Sequence, residues 1–287
     1  MEALNAIVTG GSKGIGPYIA GALAKRGMNL LLVARTSSHL EKAATNLRQA
    51  HPSVGIATAA VDLGDPAAAQ RVFAAAEREL GQVDVLINNA AVELQTRFHV
   101  LTPEEIAYVL QVDLITPVLL SRLVLPGMVE RGYGRIVNVS SMAGHVSFPY
   151  TEAYAAAKDG LIAFSRVLHA DYRKTGVWAT TLILGAVKDA GVGARTIDEV
   201  GLKVNTAFAS KPEKVAAATL KAIDKRKVEI VVNPGPGRFM KALLDYFPGM
   251  GPTLNRASGA EKTMTTVADY REAQRPATTA STGRLSA

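Results

Sequence analysis

Tyr154 and Lys158 stand four residues apart in the run TEAYAAAKDG, which reads as a helix. Residues so spaced share a helix face, so the phenol and the ammonium can point into one site. The pair suits proton transfer. A phenol titrates at about pH 10 in water, and a fixed cation beside it favours the phenolate, bringing Tyr154 toward acid/base work near neutrality. Ser141 lies thirteen residues before Tyr154, at what reads as a strand end, where its hydroxyl could reach a substrate oxygen. The three would form an acid, an electrostatic tuner and a polariser. An amphipathic helix with a surface Lys would show the same spacing, so the elements around it must decide.

Arg135 to Val139 is a β-branched strand ending in Ser140 and Ser141. At the start of the chain, Leu4 to Val8 runs into Thr9-Gly10-Gly11-Ser12-Lys13-Gly14-Ile15-Gly16, followed by a helical pattern from Pro17 to Arg26. A strand passing through a glycine turn into a helix presents backbone N–H groups and a positive helix end to a pyrophosphate. Gly10, Ser12, Lys13, Gly14, Ile15 and Gly16 are therefore candidate cofactor contacts. Their spacing, Gly-x-x-x-Gly-x-Gly, departs from the commoner Gly-x-Gly-x-x-Gly fingerprint.

The second strand, Asn29 to Ala34, ends at Arg35 with no carboxylate, where a dinucleotide site would face the adenosine ribose. A cation there accepts a 2′-phosphate, and Lys13 is a second one, which favours NADP over NAD. A third strand, Val54 to Val61, ends in Asp62 and Leu63. Asp62 either accepts from an adenine amine or caps the turn before the helix from Pro66 to Leu80. Val83 to Ile87 is a fourth strand, ending in Asn88-Asn89-Ala90-Ala91, whose small side chains suit close packing of backbone and ligand.

A long apolar helix, 103–130, leads into the Ser-Tyr-Lys stretch. Beyond it come a strand from Val177 to Leu184, a segment from Gly185 to Ala209 long enough for an active-site lid, a helix from Pro212 to Asp224 and a strand from Val228 to Val232. This alternation predicts an α/β fold: a doubly wound parallel sheet of about seven strands, helices on both faces, ligands at the carboxyl ends. The expected organisation is a nucleotide-binding and catalytic domain over 1–237, an amphipathic helical extension over 238–256 and a polar, loosely held tail over 257–287.

Composition narrows the function classes. A chain of 287 residues that is 48% hydrophobic can bury a large core. The absence of Cys excludes disulfides and thiolate metal sites, and no metal is expected. MEALNAIVTG has no basic leader, and no apolar run reaches the length of a membrane span, so a cytoplasmic location is expected. The net charge of +7 is scattered, and its densest cluster, Lys221, Lys225, Arg226 and Lys227, falls where a helix should end and complements its dipole. No nucleic-acid partner is expected. Phe239 to Phe247 reads as an amphipathic helix, covering the substrate mouth or a partner subunit, or else making peripheral contact with the inner face of a membrane through 238–247 or gripping a lipid-like substrate.

Taken together, the Thr9-Gly10 to Gly16 turn, the Asn88-Asn89-Ala90-Ala91 segment and the Ser141, Tyr154 and Lys158 set resemble the short-chain dehydrogenase/reductase family, over about residues 1 to 233. The resemblance implies a Rossmann-type fold, a homodimer or homotetramer through the helices near 103–130 and 152–174, and hydride exchange between a nicotinamide and a carbonyl or alcohol carbon. It gives Tyr154 the hydroxyl proton, Ser141 the substrate oxygen, and Lys158 both the nicotinamide ribose and the tuning of Tyr154. Val187 would meet the carboxamide through its backbone, Asn89 and Ala90 would line the cofactor, and the Lys13 and Arg35 pattern resembles NADP-preferring members.

Three places depart from the family pattern. Asp113 stands where an Asn often supports a water in the proton relay. Leu184-Gly185 replaces Pro-Gly, with Asp189 where a Thr often contacts the cofactor, so that loop is expected to sit differently. Ala91 replaces a Gly. The expected function is NADPH-dependent reduction of a hydrophobic ketone or aldehyde, or the reverse alcohol oxidation, with an NADP-binding sensor or interaction protein of weak activity as the alternative.

Overall fold

The computed structural model describes residues 3–202 and 209–275. Seven apolar runs form strands β1 (Asn5–Thr9), β2 (Asn29–Ala34), β3 (Ile56–Ala60), β4 (Val85–Asn88), β5 (Gly134–Ser141), β6 (Val177–Leu184) and β7 (Glu229–Val232). The helices between them are α1 (Gly16–Lys25), α2 (Ser37–Ala50), α3 (Ala68–Leu80), α4 (Pro103–Leu110), α5 (Thr116–Glu130), α6 (Ala143–Val146), α7 (Glu152–Asp171), α8 (Val192–Val200) and α9 (Pro212–Asp224). All seven strands are parallel, in the order β3-β2-β1-β4-β5-β6-β7. The order reverses between β1 and β4, which opens a crevice at their carboxyl ends.

Side chains alternate across a strand, and both faces here are covered. Ala6 and Val8 of β1 pack with Ile19 and Leu23 of α1 and Val215 of α9. Ile7 points the other way, into Val72 of α3 and Leu120, Val124 and Met128 of α5. Burying a Val, Leu, Ile or Met side chain is worth about 1.5–3 kcal/mol, which is why both faces of these strands are apolar.

Helix α4 begins at a capping box, with Thr102 and Glu105 exchanging backbone and side-chain hydrogen bonds. Between α4 and α5, Gln111–Ile115 form a π-helical turn. Pro117 has no N–H to give the carbonyl four residues back, at Asp113, so the regular ladder is broken there. The turn sends Asp113 into the interior, where it is fully buried.

Two expectations are corrected. The run Pro103–Glu130 is long and apolar enough to cross a membrane by length and composition. Leu120 and Met128 on it are fully buried against the sheet, so its apolar face serves the core. The tail expected to be loose is docked as far as it is described: α10 (Gly237–Tyr246) and α11 (Met250–Ala257) lead into α12 (Ala260–Ala273). Met264, Val267 and Ala268 of α12 are buried. Arg97 pairs with Glu272 and Asp269, each at 2.7 Å, and Arg275 pairs with Glu105 at 2.7 Å. These partners lie some 170 positions away in the chain, so no local pattern announced them. Residues 276–287 of the expected tail lie outside the described residues, as do 203–208 of the expected lid.

Candidate functional site

The glycine turn is shaped by contacts that exclude side chains. Gly10 and Gly14 have φ of +68° and +63°, and a Cβ on Gly14 would stand 2.6 Å from the Ala190 carbonyl oxygen. A Cβ on Gly16 would overlap the Gly10 carbonyl. Helix α1 starts from Ile15 with no side-chain cap, which turns the positive end of its dipole toward an anion. The turn therefore fits a pyrophosphate.

A cleft of about 240 Å³ opens beside it, at the β1/β4 switch point. Gly10, Ser12, Lys13, Gly14, Ile15, Arg35, Asp62, Leu63, Asn89 and Ala90 all line it. Gly16 abuts the turn from behind, and Val187 stands apart from the lining, in an isolated parallel bridge to Ser210. The Asn89 side chain also holds the scaffold. Its amide donates to the Thr9 carbonyl at 2.9 Å, while the Thr9 hydroxyl accepts the N–H groups of Asn89 and Ala90 at 2.9 and 3.1 Å. Asn89 thus clamps the ends of β1 and β4 together where it lines the cleft.

The second group gathers at the carboxyl end of β5. Ser140 donates to the Lys158 carbonyl at 2.8 Å, fixing α7 against the strand. The Ser141 hydroxyl oxygen accepts the Ala143 N–H at 3.1 Å, which leaves its own hydrogen to donate. Tyr154 and Lys158 are both buried, and the Lys158 ammonium lies 5.5 Å from the centre of the Tyr154 ring. Lys158 Nζ donates to the Val139 carbonyl at 3.2 Å and stands 3.2 Å from Asp113 Oδ2. Asp113 Oδ1 accepts the Val92 N–H at 2.8 Å, whereas Oδ2 meets Lys158 by charge and proximity and accepts no well-directed hydrogen bond. Burial pushes the Asp113 carboxyl up, against the pull of the Lys158 charge and the Val92 N–H.

These side chains do not themselves line the 240 Å³ cleft, but they adjoin it: Ala91 and Val92, which do, pack with Tyr154 and Ala153. Tyr154, with Lys158 and Asp113 behind it, thus stands against the Ala91 and Val92 wall of the cleft. The geometry can hold an anionic nucleotide in the cleft and give or take a proton beside it.

Helix α10 is held beside the loop after Ser141. Leu244 packs on Met142, Ile162 and Ile183, and Asp245 pairs with His145 at 2.7 Å. Phe239, Tyr246 and Phe247 remain exposed.

Sequence reasoning missed several residues here. Tyr108 lines the cleft from α4, and His39 and Thr36 line it beside Arg35. Only an Arg-Thr-x-x-His run after β2 hinted at the latter two, and nothing marked Tyr108. The loop after β6, where Asp189 was expected to shift the chain, meets the glycine turn through its neighbour. Asp189, at φ +55°, is exposed, and the buried Ala190 takes the place against the glycine turn. Ala190 lines the cleft and Asp189 is not among its lining residues, so the loop meets the turn through a neutral residue.

Comparison with known proteins places these features in company. The family model of the short chain dehydrogenases matches residues 4–230. The chain is 34% identical over 231 residues to ketoacyl reductase HetN of Nostoc sp., covering 80% of this chain and 78% of that protein. It is 32% identical to the D-beta-hydroxybutyrate dehydrogenase of Cupriavidus necator, over 63% of this chain and 70% of the relative. Among solved structures, it is similar to a short-chain dehydrogenase from Sphingobium yanoikuyae in complex with NADPH, with a TM-score of 0.73 and 26% identity over 86% of this chain and 94% of the other. It is also similar to a metagenomic short-chain oxidoreductase in complex with NADP, with a TM-score of 0.68 and 27% identity over 81% and 97% of the two chains.

Proposed function

Because the chain belongs to the short-chain dehydrogenase family, we propose that it is an NADP(H)-dependent oxidoreductase that reduces the carbonyl of a hydrophobic, lipid-like ketone or aldehyde, or oxidises the matching alcohol. The observation that carries this reading is the buried Lys158 ammonium, 5.5 Å from the Tyr154 ring centre, beside a cleft walled by Lys13 and Arg35. The nicotinamide, when bound, supplies or accepts the hydride. Tyr154 Oη gives its proton to the carbonyl oxygen in reduction and takes it back in oxidation. Ser141 Oγ donates a hydrogen bond to the same oxygen, since its acceptor side is already met by Ala143. Lys158 favours the tyrosinate and so lowers the cost of releasing the proton. The backbone of Gly14 and Ile15, with the start of α1, holds the pyrophosphate, and Lys13 and Arg35 favour the 2′-phosphate.

Calorimetric titration tests the cofactor half. Tight binding of NADPH with weak binding of NADH, and loss of that preference in Arg35→Ala, is the expected result. Binding of neither nucleotide would sink the enzyme reading. Relatives named for ketoacyl and 3-oxoacyl substrates make thioesters of 3-oxo acids the first members of a substrate screen.

Two exposed apolar areas extend the reading. Ile115, Val129 and Val167, along the π-turn, α5 and α7, favour a homodimer or homotetramer through these helices, and light scattering that found a monomer would refute it. Phe239, Tyr246 and Phe247 favour peripheral membrane contact, which flotation with anionic and neutral liposomes checks; no binding to either rejects it.

A further inference from the structure

Tyr108 belongs to α4, yet its ring reaches the adenosine end of the cleft. Its phenol oxygen accepts a hydrogen bond from Arg35 Nη1 at 2.8 Å and donates one to Asp62 Oδ1 at 2.9 Å. Arg35 follows β2 and Asp62 closely follows β3, so one hydroxyl ties two neighbouring strand ends to a helix from the far side of the crevice. The arrangement is built. Asp62 Oδ1 also accepts the Gly64 N–H at 2.9 Å, and the Tyr108 ring lies over Gly64 so closely that a Cβ there would overlap it. Arg35 and Asp62 are exposed and opposite in charge, and without the phenol between them they would pair directly.

We propose that Tyr108 is a positioning residue for cofactor selection: standing between Arg35 and Asp62, it holds the guanidinium at the cleft for a phosphate on the adenosine ribose and keeps the carboxylate from neutralising it. The proposal rests on the NADP(H) reading above. A guanidinium has five N–H donors, and Tyr108 occupies one of them, so the fork that matches a phosphate is left open. Burial and the bond to Asp62 push the Tyr108 pKa up, so the phenol stays the donor to that carboxylate. In Tyr108→Phe the ring still covers Gly64, but the bridge is gone. Arg35 then swings to Asp62, and its fork is spent on a carboxylate. NADH has no 2′-phosphate and loses little by this.

The test is the dissociation constants of NADPH and NADH for the wild type, Tyr108→Phe, Arg35→Ala and the double variant, with thermal midpoints alongside. Tyr108→Phe should weaken NADPH about tenfold, the size of one hydrogen bond to a charged group, with NADH held within about twofold and the midpoint unchanged. In the Arg35→Ala background the same change should cost NADPH nothing further, because Tyr108 acts through Arg35. An unchanged NADPH-to-NADH ratio, equal weakening of both, or a full effect persisting without Arg35 would each overturn the proposal. A wild type that bound NADH as tightly as NADPH would instead overturn the cofactor preference itself, and that failure shows before any variant is made.

Discussion

Strand β5 buries a cation near each end, and the two are treated differently. At its amino end, Arg135 is held between the rings of Trp178 and Tyr133, 3.2 and 4.0 Å from their centres. Its Nε donates to the Ile223 carbonyl and its Nη1 to those of Gly134 and Gly176. Burial pushes its pKa down, and carbonyls, ring faces and the charge of Asp224 hold the guanidinium against it. At the carboxyl end, the Lys158 ammonium, with three donors, makes a directed bond to the Val139 carbonyl and faces the Asp113 carboxylate 3.2 Å away. The carboxylate it faces is fully buried, with an oxygen lacking a directed bond. The first site is closed and structural. The second keeps hydrogen-bonding capacity in reserve, which is what a ligand site requires.

The contrast can be broken from either end. The largest effect belongs to Tyr154→Phe, which removes the proton donor and nothing of the packing. Turnover of an identified carbonyl substrate should fall about 10²–10⁴-fold with the thermal midpoint held. Undiminished turnover would place the acid elsewhere. Arg135→Met should do the reverse. It strands buried carbonyls, so chemical denaturation should show a loss of about 1–3 kcal/mol while kcat of the folded protein is unchanged. A fall in kcat without loss of stability would mean that the two ends of β5 are coupled.

Asp113→Asn sharpens the comparison with the smallest effect. The folded carboxyl holds its proton to higher pH than the unfolded chain's does, chiefly through burial. Between those two pKa values the folded state binds more protons, so this group's contribution to stability falls as pH rises through that window. Urea midpoints measured from about pH 4 upward should therefore drift in favour of the Asp113→Asn variant, relative to wild type, as pH rises. Parallel curves would show that Asp113 titrates alike in both states.

The sheet and the Ser141, Tyr154 and Lys158 arrangement were legible because each rests on a local period. Strand alternation, a glycine turn before a helix, and a four-residue helical offset need no knowledge of the rest of the chain. Asn89 shows the limit. Its type and place suggested a ligand contact, and it does line the cleft, but its bond to Thr9 was not legible, because only the β1/β4 pairing brings Thr9 beside it. The tail shows another. Thr263, Thr265 and Thr266 of α12 bond back to carbonyls four residues earlier, and its docking depends on Arg97 and Glu105 from distant parts of the chain. Composition read these residues as polar and loose.

What the sequence by itself determined is therefore the architecture and the pairing of Tyr154 with Lys158 on one helix face, since hydrophobic periodicity and backbone sterics act over a few residues. The tertiary structure alone decided which charges meet. Asp113 reaches Lys158 through a π-turn, Tyr108 reaches Arg35 and Asp62 across the crevice, and α12 closes on segments met much earlier in the chain. Electrostatic contacts depend on distance in space, and distance in space is set only when the whole sheet has formed.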